Sequence, residues 1–212
     1  MFYVVYGSQT GNSEAIAKRI SNELKTVHNR QNEYLVMNKF LSSMQKFPEK
    51  ELQKNFVIFV CSTTGNGDAP INADNFVRWI KRKTHSSNLL NNVFYTILGL
   101  GDSNYSKYQY IPRQIDEYLN KLGAGKFYPK GEADEAYGLE SVVEPWITNL
   151  YPTLDNFLQT LSDPNSKDSA EEVSCKHEQH KEVNGKFDNS KEFFLFVEDF
   201  FYYLNRRHYW RE

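Results

Sequence analysis

Short apolar runs separated by turn residues predict the strands of this chain. Three are continuous and rich in β-branched and aromatic residues, the composition of strands that are covered on both faces. Two are shorter and lie next to polar or glycine-rich sequence. The five predicted strands are 2–6, 34–37, 56–60, 93–98 and 127–128.

Apolar residues at helical spacing occupy most of the intervals between these strands. The first predicted helix begins at Ser13, or at Thr10 if it starts earlier, because both are good N-cap residues, and it runs to Leu24. Residues 40–53 are more polar and predict a loop with a short helix. The other predicted helices are 73–83, 111–122 and 139–158. This repeated alternation predicts an α/β protein with a doubly wound parallel sheet.

The segments that follow strands one, three and four are rich in glycine, hydroxyl and amide groups. Right-handed crossovers place these three loops at one edge of the sheet, beyond the carboxyl ends of the strands. Doubly wound sheets bind their ligands at that edge. The candidate binding residues in the three loops are Ser8, Gln9, Thr10, Gly11, Asn12, Ser13, Ser62, Thr63, Thr64, Gly65, Asn66, Gly67, Leu98, Gly99, Gly101, Asp102, Tyr105 and Tyr108.

The first loop has the features of a site for one terminal phosphate. Gly7 and Gly11 permit a tight turn, and the free N–H groups of the following helix favour an anion. No lysine follows Gly11, which excludes the P-loop pattern, and the G-x-G-x-x-G dinucleotide spacing is absent. Taken alone, the loop is equally well a capped strand-to-helix turn without a ligand. The three loops together favour a planar ligand that carries a phosphate.

Composition narrows the functional classes. The formal net charge of −2 argues against a generic nucleic-acid binder. Cys61 and Cys175 are the only cysteines, so the sequence predicts no disulfide framework and a reducing compartment such as the cytoplasm. No apolar stretch reaches the roughly 18 residues of a membrane span. The N-terminus also lacks the basic and apolar regions that predict a signal peptide.

The three loops carry a family resemblance. Their sequences, SQTGN at 8–12, STTGNGD at 62–68 and GLGDSNY at 99–105, resemble the FMN loops of flavodoxin-like domains. The similarity is strongest to the FMN half of diflavin reductases, the NADPH–cytochrome P450 reductase group. Within that group, residues 131–147 resemble the methionine synthase reductase subfamily. The resemblance covers residues 2–158 and implies FMN as cofactor and a flavodoxin-like five-stranded sheet in the order 2-1-3-4-5, with helices on both faces.

The resemblance also implies a role for each part of the site. In the family the first loop binds the phosphate, and the other two hold the isoalloxazine ring. The Tyr105 position stacks on the ring, and a carboxylate at or near Asp134 meets the ribityl chain or the ring edge. P450 reductase has an aromatic residue at the Thr64 position, which covers the other ring face. Thr64 cannot stack, so we expect that face to be open or covered by another residue.

The function that the resemblance implies is one-electron transfer, for which no catalytic side chain or metal is needed and none is assigned. The chain is expected to take electrons from an FAD/NADPH reductase module and to pass them to a protein acceptor. Such an acceptor is a cobalamin-dependent methionine synthase or a haem protein. The reductase module is expected in a missing C-terminal part or in a separate chain. The alternatives are a non-redox binding module of the same fold and a stand-alone flavodoxin-like quinone reductase.

Residues 131–150 contain acidic residues and no lysine or arginine, and the first part of this segment is predicted to lie beside the ligand edge. An acidic rim there would steer a basic partner toward an exposed flavin edge. A solvated helix face with acidic residues near its N-terminus explains the pattern equally well. The acidic residues are Glu132, Asp134, Glu135, Glu140 and Glu144.

Composition also predicts three parts of the chain. Residues 1–160 form the flavodoxin-like FMN-binding domain. Residues 161–190 are polar and charged and predict a disordered linker. The aromatic residues of 191–212 form a short C-terminal segment to which the sequence assigns no role.

Overall fold

The computed structural model describes residues 1–50 and 52–162. The aromatic C-terminal segment and most of the predicted linker lie outside the described residues. Residues 161 and 162, which were assigned to the linker, are the end of the last helix.

Strands and helices alternate along the described chain, as the sequence predicts. The strands are β1 Phe2–Gly7, β2 Asn32–Val36, β3 Asn55–Ser62, β4 Val93–Gly101, β5 Gly125–Lys126 and β6 Gly131–Asp134. The helices are α1 Asn12–Thr26, α2 Met37–Met44, α3 Asp74–Ile80, α4 Tyr110–Lys121 and α5 Glu140–Ser162, with short 3-10 turns at Pro48–Lys50 and Glu135–Tyr137. No helix in this part of the chain combines the length and apolar character that crossing a membrane requires.

The strands form one parallel sheet in the order β2-β1-β3-β4-β5, which confirms the predicted fold class. Successive strand residues point to opposite sides of the sheet, so both faces present apolar side chains, and helices cover each face. Tyr3 and Val5 pack in the apolar cluster that contains residues of α2, α3 and α4. Val4 and Tyr6 pack in the cluster that contains residues of α1 and α5.

The fifth position of the sheet is divided between two short strands. β5 pairs with Phe94 and Tyr95, whereas β6 pairs with the later part of β4. The predicted strand at 127–128 is therefore wrong, because these two residues lie between β5 and β6. Pro129 follows them and has no N–H to donate to a ladder. The apolar character that suggested a strand instead reflects burial of both aromatic side chains against the α5 side of the sheet.

The second strand ends one residue earlier than predicted, and α2 begins at Met37. This helix lies within a segment whose composition suggested mostly loop. Its buried residues are Met37, Phe40 and Met44, which lie three or four positions apart and therefore share one face. Among the polar residues between them, Lys39 and Ser42 are exposed, while the Asn38 side chain bonds to the backbone of Ile71 and Phe76. A largely polar sequence therefore still forms a core-packed helix.

Candidate cofactor site

The three loops border one cavity of about 400 Å³ at the carboxyl edge of the sheet, within the size range of small-molecule sites. The predicted residues that line it are Gln9, Thr10, Asn12, Ser62, Thr63, Thr64, Gly65, Gly101, Asp102, Tyr105 and Tyr108. Sequence reasoning missed five further lining residues, namely Leu100, Lys107, Gln109, Glu135 and Leu139. Eight predicted residues lie outside the lining and are Ser8, Gly11, Ser13, Asn66, Gly67, Leu98, Gly99 and Asp134.

The first loop leads into α1 through Gly11, which is the N-cap and has a left-handed φ of 102°. The prediction that Ser13 or Thr10 caps this helix is wrong, since no side chain caps it. Ser8 instead supports the turn, because its Oγ accepts from the Gly11 N–H at 3.0 Å. The Ser8 N–H in turn donates to Asn72 Oδ1 at 3.0 Å. The first N–H groups of α1 thus have no side-chain cap and favour an anion.

The hydroxyl of Ser13 indicates whether this helix start suits a phosphate. Its side chain is 1% exposed, and its Oγ has no hydrogen-bond partner in the described structure. A buried hydroxyl left in that state costs about 1–3 kcal/mol. Ser13 does not line the cavity, but it is the second residue of α1 and follows Asn12, which does. A phosphate oxygen bound at this helix start would give the hydroxyl an acceptor, so the residues present fit the phosphate of a flavin mononucleotide.

The second loop is a tight turn closed by Thr64 and Asp68. The Thr64 N–H donates to Asp68 O at 2.9 Å, and the Asp68 N–H donates to Thr64 O at 2.8 Å. The Thr64 hydroxyl also donates to Asp68 O at 3.0 Å. Thr64 therefore shapes the loop through hydrogen bonds and brings no aromatic ring to the cavity.

Other side chains of the protein pack directly against the glycines of the third loop. A Cβ on Gly99 would lie 2.1 Å from Gln109 Oε1, and one on Gly101 would lie 3.0 Å from the Tyr108 ring. At Gly99 the space that a side chain would need is thus taken by Gln109. Leu98 is fully buried in the core between the sheet and the α1 and α5 helices.

Tyr105 and Asp134 differ in their surroundings. Tyr105 lines the cavity with a side chain that is 63% exposed. Asp134 Oδ1 accepts from the backbone N–H groups of Ser103 and Ala136, both at 3.0 Å. Desolvation raises the pKa of the Asp134 carboxyl, but these hydrogen bonds outweigh it and hold the pKa below its usual value. The carboxylate therefore ties the third loop to the turn that carries Glu135.

The predicted acidic rim is mostly paired. Glu132 forms salt bridges with Arg113 at 2.6 Å and Lys130 at 2.9 Å, and Glu144 binds Arg19 at 2.5 Å. These two acids and Asp134 thus fill structural roles, and the arginines that pair with Glu132 and Glu144 lie far away in sequence, on α4 and α1. Within residues 1–50 and 52–162, Glu135 and Glu140 form no salt bridge.

Among the described residues, no cluster of three or more histidine, cysteine or acidic side chains could hold a metal. Cys61 at the end of β3 is fully buried, and desolvation raises the pKa of its thiol. The cavity lining includes Asn12, at a helix start that favours an anion, and the exposed side chain of Tyr105.

Comparison with known proteins places this geometry in a family. A sequence model of the family described as Flavodoxin matches residues 4–146. The chain is 42% identical over 156 residues to methionine synthase reductase of Caenorhabditis elegans, covering 72% of this chain and 22% of the relative. It is 38% identical over 151 residues to NADPH-dependent diflavin oxidoreductase 1 of Xenopus laevis, covering 70% of this chain and 24% of the relative. The chain spans under a quarter of the length of these two relatives.

A solved structure shows the same fold. A cysteine-to-alanine mutant of flavodoxin from Pseudomonas aeruginosa matches with a TM-score of 0.55 at 20% identity. The match covers 73% of this chain and 98% of that chain.

Proposed function

This chain belongs to the flavodoxin family and binds FMN, and on that premise we propose that it carries single electrons from a reductase module to a protein acceptor. The observation that carries the proposal is the cavity itself. It joins an uncapped helix start at Asn12 to an exposed tyrosine at the rim, Tyr105. FMN supplies the redox chemistry when it is bound, and the protein has only to hold it and to set its surroundings.

The chain's own residues have three tasks in this proposal. The first N–H groups of α1 and the Ser13 hydroxyl hold the phosphate. Tyr105 lies against one face of the ring, and Asp134 keeps the adjoining loops together through Ser103 and Ala136. The rim stays accessible to a partner, as electron transfer between proteins requires.

The donor and acceptor are proposed from the relatives. Methionine synthase reductase and NADPH-dependent diflavin oxidoreductase 1 are both more than four times as long as the matched segment. Their names support an FAD/NADPH reductase module as electron donor, either on the same chain or on another. A cobalamin-dependent methionine synthase or a haem protein is the proposed acceptor. The cytoplasmic location that the cysteines suggest stays a prediction.

The experiment that tests the proposal is reconstitution with FMN and a separate FAD-containing reductase. With NADPH present, the mixture is expected to reduce cytochrome c, while the FMN-loaded chain and NADPH without the reductase should not. The readout is absorbance of cytochrome c and of NADPH. Rapid NADPH oxidation by the pure chain would instead favour a quinone reductase, and no electron transfer in the full mixture would overturn the proposal.

Replacing Tyr105 by alanine is expected to weaken FMN binding by about 1–3 kcal/mol, by analogy with the stacking of bases on aromatic side chains. The measurement is quenching of FMN fluorescence on titration with the apoprotein. Tyr137→Ala is the matched control, because Tyr137 is 82% exposed on a neighbouring turn and does not line the cavity. Equal affinities for wild type and Tyr105→Ala would assign the stacking role to another residue.

Electron transfer to a basic acceptor is expected to slow as salt rises, because the Debye length falls from about 30 Å at 0.01 M to about 10 Å at 0.1 M. Glu135 and Glu140, which form no salt bridge among the described residues, should carry this effect, so changing both to glutamine should flatten the salt dependence. Because Glu135 lines the cavity, the rates are compared at saturating FMN. Stopped-flow rates at several ionic strengths measure it.

A control pair makes the same change of charge far from the cavity. Glu33 lies in β2 and Glu49 in the turn after α2, and neither lines the cavity. The Glu33→Gln/Glu49→Gln variant should keep the wild-type salt slope. If the Glu135→Gln/Glu140→Gln variant keeps it as well, the acceptor docks elsewhere.

A further inference from the structure

Gln109, the residue before α4, has an unusual backbone for its type. Its φ is 57° and its ψ is 17°, which is the left-handed helical region. The only other residue besides glycine with a positive φ in the described chain is Asn29. Asparagine adopts this region more readily than glutamine, because its short side chain can form a hydrogen bond with the local backbone. A glutamine keeps such a strained conformation only where the surrounding structure enforces it.

The Gln109 side chain joins the ends of two strands. It is fully buried, and its Nε2 donates to Gly99 O at 3.1 Å and to Ala133 O at 2.9 Å. Gly99 lies near the end of β4, where the third loop begins, and Ala133 lies near the end of β6. These two strand ends are already paired along their backbones, so the Gln109 amide adds a link from the start of α4 to both of them.

The residues beside Gln109 contact the other walls of the cavity. Ile111 N–H donates to Thr63 Oγ1 at 3.0 Å, which ties the second loop to the start of α4. The Tyr108 ring packs on Gly101, and its hydroxyl donates to Glu132 O at 3.4 Å. We call residues 108–111 the bracket segment, because it contacts the second loop, the third loop and β6.

Gln109 Oε1 indicates that holding the bracket segment in this conformation costs free energy. This oxygen is buried and has no hydrogen-bond partner in the described structure. It occupies the space that only a glycine at position 99 leaves open. An unpaired acceptor and a left-handed backbone at one residue are unfavourable features that cluster at functional sites.

We infer that Gln109 is a positioning residue for FMN: its amide holds the segment before α4 against the paired ends of β4 and β6. The inference rests on FMN binding by this cavity. Lys107 and Tyr108 of that segment line the cavity, so releasing it from Gly99 and Ala133 alters both the fit and the surroundings of the ring.

The test compares FMN binding by three variants with folding of the same proteins. Gln109→Leu removes both N–H donors at similar volume and should weaken FMN binding about tenfold, as expected for two hydrogen bonds. Gln109→Gly accepts the left-handed backbone without strain and should weaken binding as well. Both should shift the midpoint potential and the visible circular dichroism of bound FMN, because the ring surroundings change.

Asn55→Leu is the matched control. Asn55 is 1% exposed, and its Oδ1 is also unpartnered, but it lies at the first residue of β3, at the edge of the sheet opposite the cavity. This variant should lower thermal stability and leave the FMN dissociation constant within twofold of wild type. The inference would be overturned if the two Gln109 variants also lost only thermal stability. Their FMN affinity, and the midpoint potential and visible circular dichroism of bound FMN, would then equal those of the wild type, and Gln109 would be a structural residue. Failure of the wild type to bind FMN would overturn the cofactor assignment first.

Discussion

Replacing Trp146 by alanine is expected to lower the free energy of unfolding by about 3–5 kcal/mol, the cost of removing a large ring from a packed core. Trp146 is 1% exposed, and its ring centroid lies 5.2 Å from that of Tyr128. Its Nε1 donates to Pro129 O at 3.0 Å, and its carbonyl accepts from the Tyr128 hydroxyl at 3.0 Å. Alanine would leave a cavity and would remove one of the two donors to Pro129 O, which would keep only the Thr96 hydroxyl at 3.3 Å. A loss of this size is a large fraction of the roughly 5–15 kcal/mol by which domains are stable.

Trp146 also supports the divided fifth position of the sheet. A Cβ on Gly131 would lie 2.8 Å from Trp146 Cδ1, so the ring fits against the start of β6 only because residue 131 is glycine. Denaturant unfolding followed by far-ultraviolet circular dichroism measures the effect. Trp146→Phe keeps a six-membered aromatic ring and loses the five-membered ring with its N–H donor, so it should cost clearly less than alanine. A loss below about 1 kcal/mol for Trp146→Ala would contradict the packing argument.

Replacing Ser13 by alanine is expected to weaken FMN binding by about 1.5–3 kcal/mol, the value of a hydrogen bond to a charged group. That is roughly a ten- to 150-fold increase in the dissociation constant. The apoprotein should be as stable as wild type or more so, because the buried Oγ has no partner to lose. Riboflavin, which lacks the phosphate, should bind wild type and Ser13→Ala alike.

Ser21→Ala is the control for this prediction. Ser21 lies on the same helix, is 2% exposed, and donates through Oγ to Asn32 Oδ1 at 2.7 Å. It should show the opposite pattern, with lower stability and unchanged FMN affinity. Fluorescence titration and denaturant unfolding of both variants separate the two patterns. An unchanged FMN affinity in Ser13→Ala would assign the phosphate to the backbone N–H groups alone.

Local sequence was sufficient for the parts of the fold that depend on neighbours along the chain. The runs that became β1, β3 and β4 are covered on both faces, so they are apolar at nearly every position and stand out in the sequence. The three loops follow these strands directly, and parallel strands bring their carboxyl ends to one edge. The location of the site therefore followed from strand prediction and a general rule of topology.

Short elements were harder to predict because their burial depends on what packs against them. The fifth strand was placed on Phe127 and Tyr128, whose apolar side chains face α5, while the pairing residues beside them include Gly125 and Gly131. The helix α2 is only eight residues long, too short for a clear period among polar residues.

The amino-acid sequence by itself determined the class of fold, the edge of the sheet where the cavity lies and most of the residues that line it. Tertiary structure alone decided which polar groups have partners. Arg19 meets Glu144 across 125 positions of sequence, and Gln109 reaches Ala133 across 24. Such partners are set by how helices cross the sheet, and periodicity along the chain reports burial but not which distant residue is the neighbour.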